Sequence, residues 1–123
     1  MEQQKLTQQV IGAAIEVHKT LGPGLLESSY EACLMFELLQ QSIDAHQQVL
    51  LPINYKNQHI DSGYRIDIVI PNNLIIELKV IDKILPIHIA QTLTYMKLSK
   101  IKTGLIINFN TTQLIKGVKR LRI

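Results

Sequence analysis

The chain predicts a mixed fold of the α/β (α+β) class in the order ααβββαβ(β), and three features carry that prediction. Apolar residues recur at three- and four-residue spacing through the first third, the period shortens to two from Val49 to Val80, and Pro86 opens another helical stretch before a last apolar run. In order, Leu6, Val10, Ala13, Ala14, Val17 and Leu21 form one stripe, which makes residues 3 to 20 an amphipathic helix. Gly22-Pro23-Gly24 ends it. A second helix runs from 26 to 41, with Tyr30, Leu34 and Leu38 facing inward and Glu27 in the first turn, where a carboxylate suits the helix dipole. Val49, Leu51, Ile53 and Tyr55 then alternate up to Lys56-Asn57, a strand closed by a turn. A short return leads to a hairpin of residues 64 to 70 and 74 to 80 around Pro71-Asn72-Asn73. Proline in the first turn of a helix costs no hydrogen bond, so Pro86 starts a third helix reaching residue 100. Residues 103 to 109 suit a buried strand, and 113 to 123 add an edge strand.

A single domain over residues 1–123 is expected, since a chain of this length buries roughly two thirds of its unfolded surface and 46% hydrophobic residues can fill that core. With 19% charged residues and few Gly and Pro, disordered and linker classes are excluded. No membrane span is expected either, because Glu77, Lys79, Asp82 and Lys83 interrupt the most apolar stretch. Met1 to Lys5 runs into an amphipathic pattern without the apolar core of a secretory signal, so the expected location is cytoplasmic. The one cysteine, Cys33, has no disulfide partner and reads as a small buried hydrophobe. Charge is uneven: residues 1–82 hold five cations and all ten acids, whereas 83–123 hold eight cations and no acid. Lys97, Lys100, Lys102, Lys116, Lys119, Arg120 and Arg122 suit a phosphate-bearing partner.

Strand geometry puts Arg65, Asp67 and Val69 on one face, and Ile75, Glu77 and Lys79 on one face of the next strand. If Ile70 pairs with Leu74, Asp67 stands opposite Glu77 with Cβ atoms roughly 4.5 to 5.5 Å apart. Two facing carboxylates repel unless a cation lies between them, and Lys79 offsets only part of that repulsion. Hard oxygen ligands without a thiolate select Mg²⁺ or Mn²⁺. Ile66, Ile68, Ile70, Leu74, Ile76, Leu78 and Val80 make the opposite face apolar, leaving the charged face as a polar surface. Asp67→Ala or Glu77→Ala is then expected to leave the metal-free fold intact or stabilised.

Asp67, followed after nine residues by Glu77-Leu78-Lys79, resembles the D…(D/E)-x-K signature of the PD-(D/E)xK nuclease superfamily, with Ile66 in place of the proline. Gly24-Leu25-Leu26-Glu27-Ser28-Ser29-Tyr30 is similar to the G-x-x-E-x-x-Y motif of a small bacterial family within it, as is the flanking Ile11-Gly12-Ala13-Ala14-Ile15-Glu16-Val17-His18. Gln91-Thr92-Leu93-Thr94-Tyr95 resembles the Q-x-x-x-Y element of the exonuclease-like branch. The resemblance spans about residue 6 to about residue 120.

What it implies is a restriction-endonuclease-like mixed sheet flanked by helices, with Glu27, Asp67 and Glu77 as metal-binding acids and Lys79 beside the attacked phosphate. The Leu78 carbonyl is a further candidate ligand, and His18 a second-rank one. Gln91, Tyr95 and His88 share a helix face and are candidates for substrate contact or for supporting the site. Tyr30, although inside the name-giving motif, reads first as packing. The function expected is Mg²⁺- or Mn²⁺-dependent hydrolysis of phosphodiester bonds, of DNA before RNA. The alternatives are a nucleic-acid-binding module of the same fold without turnover and a subunit of a larger DNA-processing complex, with homo-oligomerisation open.

Overall fold

The computed structural model describes residues 2–61 and 63–123, Glu2 by its backbone alone, so Met1 lies outside the described residues. Helices α1 (Glu2–Leu21) and α2 (Glu27–Gln40) come first. Strands β1 (His46–Leu50), β2 (Ile53–Tyr55), β3 (Gln58–Ile60), β4 (Arg65–Ile70) and β5 (Leu74–Lys79) follow, and then α3 (Pro86–Ser99) and β6 (Thr103–Asn108). A 3₁₀ turn at Leu114–Gly117 leads into β7 (Val118–Arg122).

The helices fall where the periodicity puts them, and one strand does not. The alternation read as a single strand from Val49 to Tyr55 is divided. Pro52 has no N–H for a ladder, so β1 stops at Leu50 and the chain restarts as β2. That strand pairs only with β3, Ile53 opposite Ile60, around Lys56 and Asn57, whose φ values of 49° and 64° give the two left-handed residues of a tight hairpin. The last strand is also shorter than expected, because residues 114–117 form the 3₁₀ turn.

Among the described residues the main sheet has five strands in the order β1-β4-β5-β6-β7. All neighbours are antiparallel except β5 and β6, which run parallel with Glu77 opposite Ile106 and Lys79 opposite Asn108. Parallel neighbours need a crossover, which α3 supplies. The hairpin register is the expected one, Ile70 opposite Leu74, with Asn72 taking the left-handed position of the turn.

One face of the sheet, with Ile68, Ile70, Leu74, Ile76, Leu78, Leu105, Ile107 and Phe109, packs against Val10, Ala13, Ala14 and Val17 of α1 and Tyr30, Leu34 and Leu38 of α2. Each such Leu or Ile withdrawn from water contributes roughly 1.5–3 kcal/mol, so this layer holds both helices down. Leu21, read as part of the stripe, is 39% exposed, and Cys33 is half-buried at the rim of the layer. The other face corrects the expectation of a polar surface. Val69 and Ile75 pack there with Tyr95 and Met96 of α3, and Glu77 is itself only 5% exposed. Ile66 joins Val69 and Ile75 instead of Ile68 and Ile70, so the two-residue alternation slips across Asp67.

Candidate active site

Asp67 and Glu77 meet where β4 begins and β5 ends, beside the carboxyl ends of the parallel pair, where open sheets place their ligands. The ladder between β4 and β5 runs through Ile68 opposite Ile76; on the next rung the two acids make the bonds themselves. The Asp67 N–H donates to Glu77 Oε2 at 2.9 Å, and the Leu78 N–H donates to Asp67 Oδ2 at 2.8 Å. Each carboxylate therefore spends one oxygen on the backbone. Since the N–H and C=O of one strand residue point to the same side, the Leu78 carbonyl also lies toward β4.

Burial raises the Glu77 carboxyl to about 8, helped by the charges of Asp67 and Glu27 and opposed by the Asp67 N–H and the Lys79 ammonium. At neutral pH, without a cation, that carboxyl is mostly protonated. Glu27, the first residue of α2, is raised by burial and then by Asp67, and lowered by Lys79. These four side chains thus share one electrostatic neighbourhood. The Gly-Pro-Gly turn sets Glu27 there: Gly22 and Gly24 have φ of 72° and 104°, which glycine adopts without the Cβ penalty. Tyr30 clamps that turn, its hydroxyl donating to the Gly22 carbonyl and accepting from the Leu25 N–H while its ring stacks 4.3 Å from Phe109.

A fourth acid was not foreseen. Glu31 is 7% exposed, and the amides of Gln47 and Gln48 donate to its two oxygens at 3.2 and 2.8 Å. The Gln48 amide also reaches Asp67 Oδ1 at 3.4 Å. Burial raises Glu31 most, its bond from Gln48 lowers it, and Asp67 and Glu27 raise it further. The available signal was the spacing, since Glu27 and Glu31 lie four apart on one helix face. Gln48 has a φ of 52° inside β1, a left-handed conformation that costs an L residue roughly 1–2 kcal/mol and that no local motif announces. Leu26, Glu27, Ser28, Glu31 and Gln48 line an open cleft of about 650 Å³.

On the α3 side, Tyr95 is buried, raised by that burial and then by the charges of Glu77, Tyr64 and Asp67, and hydrogen-bonded to Gln91. Tyr95 thus belongs to the neighbourhood of the acids, with Gln91 joined to it. His88 is used elsewhere: its Nδ1 accepts the Leu85 N–H at 2.9 Å and caps α3. His18 is buried, and its Nε2 donates to the Thr111 carbonyl at 2.8 Å.

The donor set fits a hard divalent cation. Two carboxylates that repel each other, one of them kept protonated by burial and by its neighbour, gain most from a positive charge between them. Among the described residues no three His, Cys, Asp or Glu side chains form a ready-made metal cage, so such an ion would rest on the Asp67–Glu77 pair with main-chain and water oxygens. Among known families, the model of the PD-(D/E)XK nuclease superfamily matches residues 4–121. No curated protein and no solved structure matches the chain.

Proposed function

Because the chain belongs to the PD-(D/E)XK nuclease superfamily, we propose that it is a Mg²⁺- or Mn²⁺-dependent nuclease hydrolysing phosphodiester bonds of DNA, of the G-x-x-E-x-x-Y kind. The superfamily implies a nucleic-acid substrate, and its nucleases generally use divalent metals. A five-stranded mixed sheet with helices is consistent with its restriction-endonuclease-like fold. The observation that carries the reading is the acid pair locked to the backbone of β4 and β5, with Lys79 two residues beyond Glu77.

Asp67, Glu77 and the Leu78 carbonyl would hold the ion, and Glu27 would reach it through water. When bound, the ion supplies Lewis acidity toward water and the phosphoryl oxygen. The Leu78 and Asp67 N–H groups fix the two carboxylates, so no reorganisation is needed as substrate arrives. Lys79 lies within this field, since its charge lowers both Glu77 and Glu27. Its ammonium would stabilise charge developing on the phosphate. Gln91 and Tyr95 would wall the site from the α3 side.

Calorimetric titration of Mn²⁺ into the protein and its Glu77→Gln variant, followed by incubation of both with single- and double-stranded DNA, tests this. Mn²⁺ binding lost in the variant and metal-dependent cleavage by the parent alone are expected. A parent that binds no metal would leave a nucleic-acid-binding module as the better account.

A further inference from the structure

The β2–β3 hairpin stands outside the main sheet and outside the acid site. Among the described residues β2 and β3 pair only with each other, and a lone two-stranded hairpin is marginal in water, so the fold gains little by keeping it. Its position is informative. Strands β1 and β4 run together past Asp67 to the Leu51 N–H···O=C Tyr64 bond, and the hairpin continues from there. Its base is three residues from Asp67, roughly 10 Å along the strand.

The hairpin's side chains suit one kind of partner. Tyr55 is 57% exposed with the Lys56 Nζ 5.3 Å from its ring centre, and Tyr64, at the base, is 49% exposed and tilted against Tyr95 at 6.1 Å. Residues 45 to 60 contain no acid, and the next one, Asp61, is engaged by the Gly63 N–H. Exposed aromatic faces joined to a cation, in an arm whose strands carry no acid and which leads to a carboxylate site, match unpaired bases on a phosphate backbone.

We propose that the β2–β3 hairpin is a stacking arm for single-stranded nucleic acid, with Tyr55 under a base, Lys56 on a phosphate and Tyr64 marking the way to Asp67 and Glu77. The proposal rests on the nuclease reading and narrows its substrate to single-stranded or frayed ends.

Fluorescence anisotropy of a labelled single-stranded oligonucleotide and of the same-length duplex, in EDTA so that nothing is cleaved, tests it. Tyr55→Ala is expected to weaken single-strand binding roughly tenfold or more, with duplex binding nearly unchanged, and Tyr55→Phe to keep the parent's affinity. Lys56→Gln should lower the salt slope by about 0.7. Mn²⁺ calorimetry on Tyr55→Ala should match the parent, which shows that the site is still folded. Parental single-strand affinity in Tyr55→Ala, or equal losses in the Ala and Phe variants or on the two substrates, would overturn the arm while leaving the nuclease intact. A parent that binds no oligonucleotide and cleaves none would overturn both.

Discussion

At the scale of single residues, Glu77 determines how the site responds to pH. The unfolded chain loses this proton near the ordinary carboxylate value of 4.5, whereas the folded chain keeps it to about 8. Between these values the folded state binds more protons, so metal-free stability falls as pH rises through the window, and Glu77→Gln should abolish that fall in urea titrations. Metal takes the deprotonated carboxylate. Apparent Mn²⁺ affinity should therefore rise by up to about tenfold per pH unit toward pH 8 and then level off, which calorimetry can follow. The choice of Gln over Ala matters. Removing either acid entirely leaves the buried N–H of Asp67 or Leu78 without its acceptor, at a cost of about 1–3 kcal/mol, which offsets the relief of repulsion expected of the alanine variants. Lys79→Ala should lower turnover more than metal affinity, separable by comparing kcat with the calorimetric Kd. Tyr30→Phe should cost about 1–2 kcal/mol in urea unfolding, because the Leu25 N–H and the Gly22 carbonyl lose their shared partner.

At the scale of elements, close packing at the two ends of β6 leaves unequal room for a side chain at Gly104 and Gly117. A Cβ on Gly117 would run into the backbone oxygen of Asn108, while one on Gly104 would meet only the Met96 thioether at 2.7 Å, a side chain that can move. Gly117→Ala is therefore expected to destabilise by about 1–3 kcal/mol and more than Gly104→Ala, measured as denaturation midpoints. Which elements were legible follows from their physics. Long amphipathic helices and the Pro-Asn-Asn hairpin announce themselves through period and turn chemistry, and Asp67 and Glu77 inherit their register from that turn. The break at Pro52 was hidden because alternation runs through it, whereas the turn at Lys56-Asn57 was legible and only the returning strand β3 was not. Glu31 was hidden because its burial depends on Gln47 and Gln48 arriving from another strand. His88 showed only its helix face, and its use as a cap depends on backbone geometry at Leu85.

At the scale of the whole molecule, charge is divided between the two halves of the sheet. The acids gather on α2, β4 and β5, while Lys119 is exposed on β7, two strands beyond Glu77 through Ile106 and so roughly 10 Å away; Arg120 and Arg122 are exposed on the side of β7 that borders α1. A bound strand could span that distance. Lys119→Gln is expected to weaken oligonucleotide binding at low salt without altering Mn²⁺ affinity. The slope of log affinity against log salt should fall by about one for each phosphate that is no longer neutralised. Anisotropy over a salt series would show this. Among the described residues no helix is long and apolar enough to cross a membrane.

The rung formed by Asp67 and Glu77 also bears on how such a protein can change over generations. In many enzymes the reacting groups hang from a scaffold that does not need them, and a lineage can lose its chemistry by one mutation while keeping its fold. Here the same carboxylates that would hold the ion terminate two main-chain donors of β4 and β5. A descendant that abandoned catalysis would be steered toward Asn and Gln at these positions, which still accept those bonds, and away from small apolar residues. Loss of activity by that route would leave its trace in the amides that remain.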